Sequence, residues 1–121
     1  MTDPGVTDPD LFAGNPVSDF ERARPWYEAL FGAEPSLFAH ETECIWEVAE
    51  HRFVYIVEDP ERAGNAISTL FVTDLEERVA EISGRGIEPA ERETYSNGVR
   101  KVTYRDADDN ELGFGGPPAA D

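Results

Sequence analysis

Residues 17–21 read Val-Ser-Asp-Phe-Glu, and residues 72–76 read Val-Thr-Asp-Leu-Glu. The phrase recurs at an offset of 55 residues, from position 17 to position 72, in a chain of 121. Each copy ends a short apolar run and opens a helical pattern. A chain that states one supersecondary unit twice is constrained to fold as two similar halves packed round a shared surface. At this length the halves belong to one domain. A core of useful size can then be buried without disulfide or metal staples.

The surrounding pattern fills in the unit. Leu11 to Val17 reads as a strand. Ser18 is expected to cap the following helix, with Glu21 completing a capping box. Phe20, Ala23, Tyr27, Leu30 and Phe31 fall on one helical face. Pro25 sits within that pattern and is expected to kink or split the helix, and Gly32 stops it. Leu37–Ala39, Glu43–Ala49 and Phe53–Val57 read as three strands. The second copy repeats the order: a strand over Ala66–Val72, a box of Thr73 and Glu76, and an apolar stripe of Leu75, Val79 and Ile82. Gly84 and Gly86 end that helix. Strands near Pro89–Glu93, over Val99–Arg105 and over Glu111–Phe114 complete it. The turn at Asp106–Asn110 is rich in residues that tolerate left-handed backbone. Each half is therefore β-α-β-β-β, and the fold class is α+β. Residues 11–115 form a single domain, with modules at about 11–60 and 66–115. Residues 1–10 and 116–121 read as loose tails. Phe53 to Val57 shows no clear alternation, so that strand is expected to be buried on both faces. Two curved sheets around a common hollow satisfy this.

Charge narrows the partners. With 26 acidic and 10 basic residues the formal charge is −16. Nucleic acid and anionic membrane surfaces are poor partners for such a chain. A single cysteine, Cys44, rules out an intrachain disulfide, and its apolar run reads as core. No signal peptide and no run of 18 apolar residues is present, which predicts a cytoplasmic protein.

The segments Pro16-Val-Ser-Asp-Phe-Glu-Arg-Ala23, Trp26-Tyr27, Phe31-Gly32, Phe71-Val-Thr-Asp-Leu-Glu76, Gly98-Val-Arg100 and Asp106-Ala-Asp-Asp-Asn110 carry a resemblance. In order and spacing they are similar to the vicinal oxygen chelate superfamily, which includes glyoxalase I, bleomycin-resistance proteins and extradiol dioxygenases. The resemblance covers about residues 11 to 115. It implies a pair of βαβββ modules forming a cup, and it implies a homodimer, some members building each pocket from two chains. In metal-dependent members a ligand lies seven residues before each helix-opening Asp. Counting back from Asp19 and Asp74 gives Phe12 and Ile67. A carboxylate lies seven residues after the first Asp of the last turn, and counting on from Asp106 gives Gly113. The fourth strand offers Tyr55 and Ile56. Phenylalanine, isoleucine and glycine side chains have no lone pair for a divalent ion. The expectation is no metal and no cofactor.

What remains is a candidate small-molecule site on the cup face. If Phe12 and Ile67 point inward, strand alternation places Gly14 and Thr69 with them. Gly113 shares that orientation, and by family analogy so do Lys101 and Thr103, with Arg100 and Tyr104 opposite unless a bulge near Gly98 exchanges the two sets. Phe12, Trp46 and Tyr55 can stack on a planar or cationic ligand, or simply fill space between the sheets. Glu47 is the candidate general base or ligand anchor if it lies in an apolar hollow, and a solvated side chain otherwise. Which face of Glu43–Ala49 lines the cup stays open. His40 and His51 read as surface residues, and Asp106, Asp108 and Asp109 as a structural turn rather than a calcium loop. The favoured function is binding of a small hydrophobic or aromatic molecule. The alternatives are a metal-dependent lyase, isomerase or dioxygenase, a metal-free enzyme using Glu47, Lys101 or Tyr55, and a scaffold with a filled interior.

Overall fold

The computed structural model describes residues 9–119. The portions of the expected tails at 1–8 and 120–121 lie outside the described residues. Module one is β1 (Leu11–Val17), α1 (Phe20–Phe31), β2 (Leu37–His40), β3 (Glu43–Ala49) and β4 (Arg52–Glu58). Module two is β5 (Ile67–Phe71), α2 (Leu75–Gly84), β6 (Glu91–Thr94), β7 (Arg100–Arg105) and β8 (Glu111–Gly116). Each module builds a four-stranded mixed sheet, in the orders β1-β4-β3-β2 and β5-β8-β7-β6. The first strand of each module pairs parallel with its last, and the other pairs are antiparallel. The helix between first and second strands supplies the crossover that a parallel pair needs. This is the α+β arrangement of two βαβββ modules that the repeat predicts.

Both helices pack into one core. Val17, Tyr27, Leu30, Cys44, Trp46 and Ile56 of module one bury against the same cluster as Leu75, Ile82, Val102, Leu112 and Phe114 of module two. The helix-side faces of the two sheets thus share an interior.

Local details depart from the sequence expectations in instructive ways. The α1 N-cap is Asp19, not Ser18: its carboxylate accepts from Arg22 N at 3.1 Å. Ser18 instead gives its backbone N–H to Asp108, and Glu58 at the end of β4 accepts from Phe20 N. The orphan donors of the first turn are satisfied from elsewhere in the fold, so no capping box is required. Asp74 is the N-cap of α2 and makes no side-chain capping bond, because its carboxylate pairs with Arg78 at 2.6 Å. Pro25 does not split α1, which runs without interruption through twelve residues. An interior proline costs about 3 kcal/mol. Burial of Tyr27 and Leu30, at about 1.5–3 kcal/mol each, outweighs it.

Gly32 ends α1 in left-handed backbone at φ +71°, and its N–H bonds Glu28 O. No basic residue lies in the last turn of α1. Arg85, just past α2, supplies one: its guanidinium donates to Ala29 O and Leu30 O, two carbonyls of that last turn. At the chain's other end Gly115 and Gly116 belong to β8, and Pro117 O accepts from Arg100, so order extends into the segment expected to be loose.

A chain of buried polar groups joins the modules. Ser68 Oγ donates to Asn15 Oδ1, and Asn15 Nδ2 donates to the Tyr27 hydroxyl at 3.0 Å. That hydroxyl donates to Asp106 Oδ2 at 2.6 Å. Asn110 Nδ2 donates both to Asp106 Oδ2 and across to Pro16 O. Asn110 Oδ1 accepts from Gly64 N and Ala66 N, in the linker between modules. Asp106 Oδ1 takes the backbone N–H groups of Asp108 and Asn110, and Asp109 turns the chain at φ +70°. The Asp106 and Asp108 carboxylates of this turn serve as a structural clasp.

Candidate functional site

Pairing register decides which side chains share the sheet face turned away from the helices. On the first sheet Phe12 lies beside Phe53, and Gly14 beside Tyr55. Ile45 pairs with Tyr55 and Glu47 with Phe53. On the second sheet Thr69 and Thr103 both flank Gly113, and Phe71 and Lys101 both flank Gly115. The expected cup residues Phe12, Gly14, Glu47, Tyr55, Ile67, Thr69, Lys101, Thr103 and Gly113 therefore share one kind of face. Tyr104 lies on the opposite face, buried, and Arg100 reaches Glu76 on α2.

On the first sheet this face exposes aromatic rings; on the second it is mixed in polarity, and Thr103, expected to line the site, is buried at 1% exposure. The Phe12 and Phe53 rings stack with centroids 4.5 Å apart at an interplanar angle of 8°, and Tyr55 stands tilted beside Phe12 at 6.5 Å. The Tyr55 ring lies directly across Gly14, where an added Cβ would collide with it. Phe12 is 47% exposed, Ile67 70% and Phe71 65%. Exposed large apolar side chains grouped in this way are characteristic of interaction surfaces.

Trp46 departs from the expectation. It is 2% exposed on the helix side, where its ring packs on Phe31 and its Nε1 donates to Ala33 O at 2.9 Å. It cannot stack on a ligand at the open face. Ile45 and Glu47 take that face instead, and Glu47 is exposed, so the apolar burial that would fit it for proton transfer is missing. Phe53 and Phe71, absent from the site residues expected from sequence, share this face. Each sits two residues along its strand from a nominated residue, Tyr55 or Thr69, and strand alternation carried further would have found them.

A separate groove of about 710 Å³ runs between the C-terminal end of α1, the end of β3 and α2. Its walls include Phe31, Trp46, Glu47, Phe71 and Arg85. Of the nominated residues only Trp46 and Glu47 touch it.

Comparison with solved structures identifies the fold's relatives. The crystal structure of a glyoxalase/bleomycin resistance protein from Catenulispora acidiphila DSM 44928 is 52% identical, with a TM-score of 0.88, covering 92% of this chain and 100% of that one. The chain belongs to the glyoxalase/bleomycin resistance protein family, within the vicinal oxygen chelate superfamily. The same fold, at 20% identity and a TM-score of 0.72, is seen in a bleomycin-binding protein complexed with bleomycin, over 92% of this chain and 99% of that one. It is seen too, at 16% identity and a TM-score of 0.68, in lactoylglutathione lyase from Agrobacterium tumefaciens, over 95% and 96%. No protein-family model matches the chain, and no curated protein does.

For a member of this family the donor set is the deciding chemistry, and it does not fit a metal. Phe12, Ile67 and Gly113 stand at the positions where metal-dependent relatives are expected to place ligands, and their side chains carry no donor. Among the described residues no three His, Cys, Asp or Glu side chains are grouped as a metal would need. His40 pairs with Glu43, and His51 with Asp10, on exposed turns. Among the described residues no helix is long and apolar enough to cross a membrane.

Proposed function

We propose that this glyoxalase/bleomycin resistance family member is a metal-independent binding protein for a small hydrophobic or aromatic molecule. The molecule lies on the open sheet face, and a second copy of the chain covers it. One observation carries the reading: the stacked Phe12 and Phe53, with Tyr55, present aromatic surface to solvent where a metal-using relative would present ligands. Flat rings held rigidly by their neighbours are suited to stacking on a planar guest, at about 0.5–1.5 kcal/mol per pair beyond area burial. The open face in one chain supports the homodimer, since small-molecule sites bury most of their ligand. A bleomycin-binding protein of the same fold supports the choice of binding over chemistry. The free, buried Cys44 goes with a cytoplasmic setting.

A thermal-shift series tests this. Naphthalene-based aromatics should raise the melting temperature in proportion to occupancy, and Phe12→Ala should abolish the rise. Zn²⁺, Ni²⁺ and Fe²⁺ should leave it unchanged. A rise with any of these ions that is lost on chelation would overturn the metal-independent reading.

A further inference from the structure

The only lysine in the chain is Lys101. It sits on the open face of β7, with Glu93 of β6 on one side and Gly115 of β8 on the other. In a chain of formal charge −16, an ammonium has carboxylates close at hand. Glu93 is its direct cross-strand neighbour, in position for an ion pair. The side chain goes the other way. Lys101 Cε lies 3.0 Å from the point that a Cβ on Gly113 would occupy, and Thr69 Oγ1 lies 3.4 Å from the same point. Glu111, on the same face of β8, is 3.9 Å from Arg105 instead. Among the described residues no carboxylate lies within ion-pair distance of Lys101.

Glycine at 113 leaves room for this course, because a Cβ there would press on the end of the lysine stem and stand in contact with the threonine hydroxyl. The end of the lysine stem and a hydroxyl thus lie close together over β8, on the face that also exposes Ile67 and Phe71. We infer that the molecule held on this face carries a carboxylate-type anionic group, which Lys101 Nζ and Thr69 Oγ1 bind as donors while the apolar body rests on Ile67 and Phe71. The inference rests on the open face being the ligand site. A lysine offers a compact charge with three donors, and hydrogen bonds to an ionised partner are the strong ones. The chain's overall charge alone favours a cationic guest, so the two possibilities predict opposite orders of affinity.

Three isosteric probes separate them in calorimetric titrations: 2-naphthoate, 2-naphthamide and, as the ammonium-type cation, 2-naphthamidinium. Naphthoate should bind about tenfold more tightly than the amide, and the amidinium most weakly. Lys101→Met, which keeps the stem and removes the charge, should bring naphthoate to within about twofold of the amide. Gly113→Ala should do the same by displacing the stem, with melting curves of both variants checked against the parent. Equal binding of naphthoate and amide, preference for the amidinium, or a preference for naphthoate that survives Lys101→Met would each overturn the anionic assignment while leaving the aromatic site intact. Binding by none of the three would overturn both.

Discussion

The Tyr27 hydroxyl on α1 donates to Asp106 Oδ2, in the last turn of module two, across 79 positions of sequence. The Tyr27 hydroxyl oxygen in turn accepts from Asn15 Nδ2. Tyr27 is wholly buried. Tyr27→Phe would leave the Asn15 Nδ2 donor without its partner in the interior and would take from Asp106 Oδ2 one of its two hydrogen bonds, at about 1–3 kcal/mol for such a loss. Urea denaturation should register that loss as a lower midpoint with unchanged slope. A variant as stable as the parent would show that the clasp contributes nothing.

Tyr104 provides the contrast. Its hydroxyl is buried and has no hydrogen-bond partner. Tyr104→Phe removes an unsatisfied polar atom and keeps the ring that meets Phe114 edge-on. Stability should be unchanged or should rise by about 1 kcal/mol. The opposite responses of two Tyr→Phe changes in one core make a sharp comparison.

Gly32 and Arg85 form a coupled pair. A Cβ on Gly32 would lie 2.9 Å from Arg85 Cζ, and the backbone there is left-handed. Gly32→Ala should cost about 1–2 kcal/mol from the backbone alone, plus the displaced cap. In an Arg85→Ala background only the backbone share should remain. A double-mutant cycle measures the difference, and strict additivity would exclude the coupling.

Alkaline pH should destabilise the fold before mild acid does. Burial pushes the Cys44 thiol from 9.0 up to about 11. Burial, and then the neighbouring Asp106 charge, hold the Tyr27 hydroxyl far above the ordinary phenol value of 10.0. Burial raises Tyr104 as well. Groups that release protons less readily when folded contribute stability that is complete below their unfolded values and lost as pH rises. The denaturation midpoint should therefore begin to fall above about pH 9 and continue to fall through 11. Iodoacetamide should label Cys44 at pH 8 only after unfolding. Rapid labelling of the native protein would contradict its buried state.

The repeated Val-Ser/Thr-Asp phrase made the two modules legible, because each copy combines an end of strand with a helix start. The limits of β1 and β3 follow directly from their apolar runs. Helix starts were one residue off because Ser18-Asp19 and Thr73-Asp74 each offer two capping side chains, and only tertiary partners such as Asp108 and Glu58 decide between them. Trp46 could not be assigned a face: Cys44, Ile45 and Trp46 are all buried, so β3 shows no alternation to read there. The clasp was out of reach for a different reason. Its groups come from β1, α1, β5 and the last turn, and local patterning reports nothing about contacts 79 or 94 residues apart. The positions of Phe12, Ile67 and Gly113 were countable, since they depend only on spacing along single strands and one turn.

Module two closes the last turn of α1 with Arg85, and Asn110 holds Pro16 O. The duplication is thus visible in the backbone but not in the division of labour. A nick in the linker at residues 59–66 would strip module one of both contacts once the pieces drift apart. Cleavage there would end in loss of the whole fold rather than in two folded fragments.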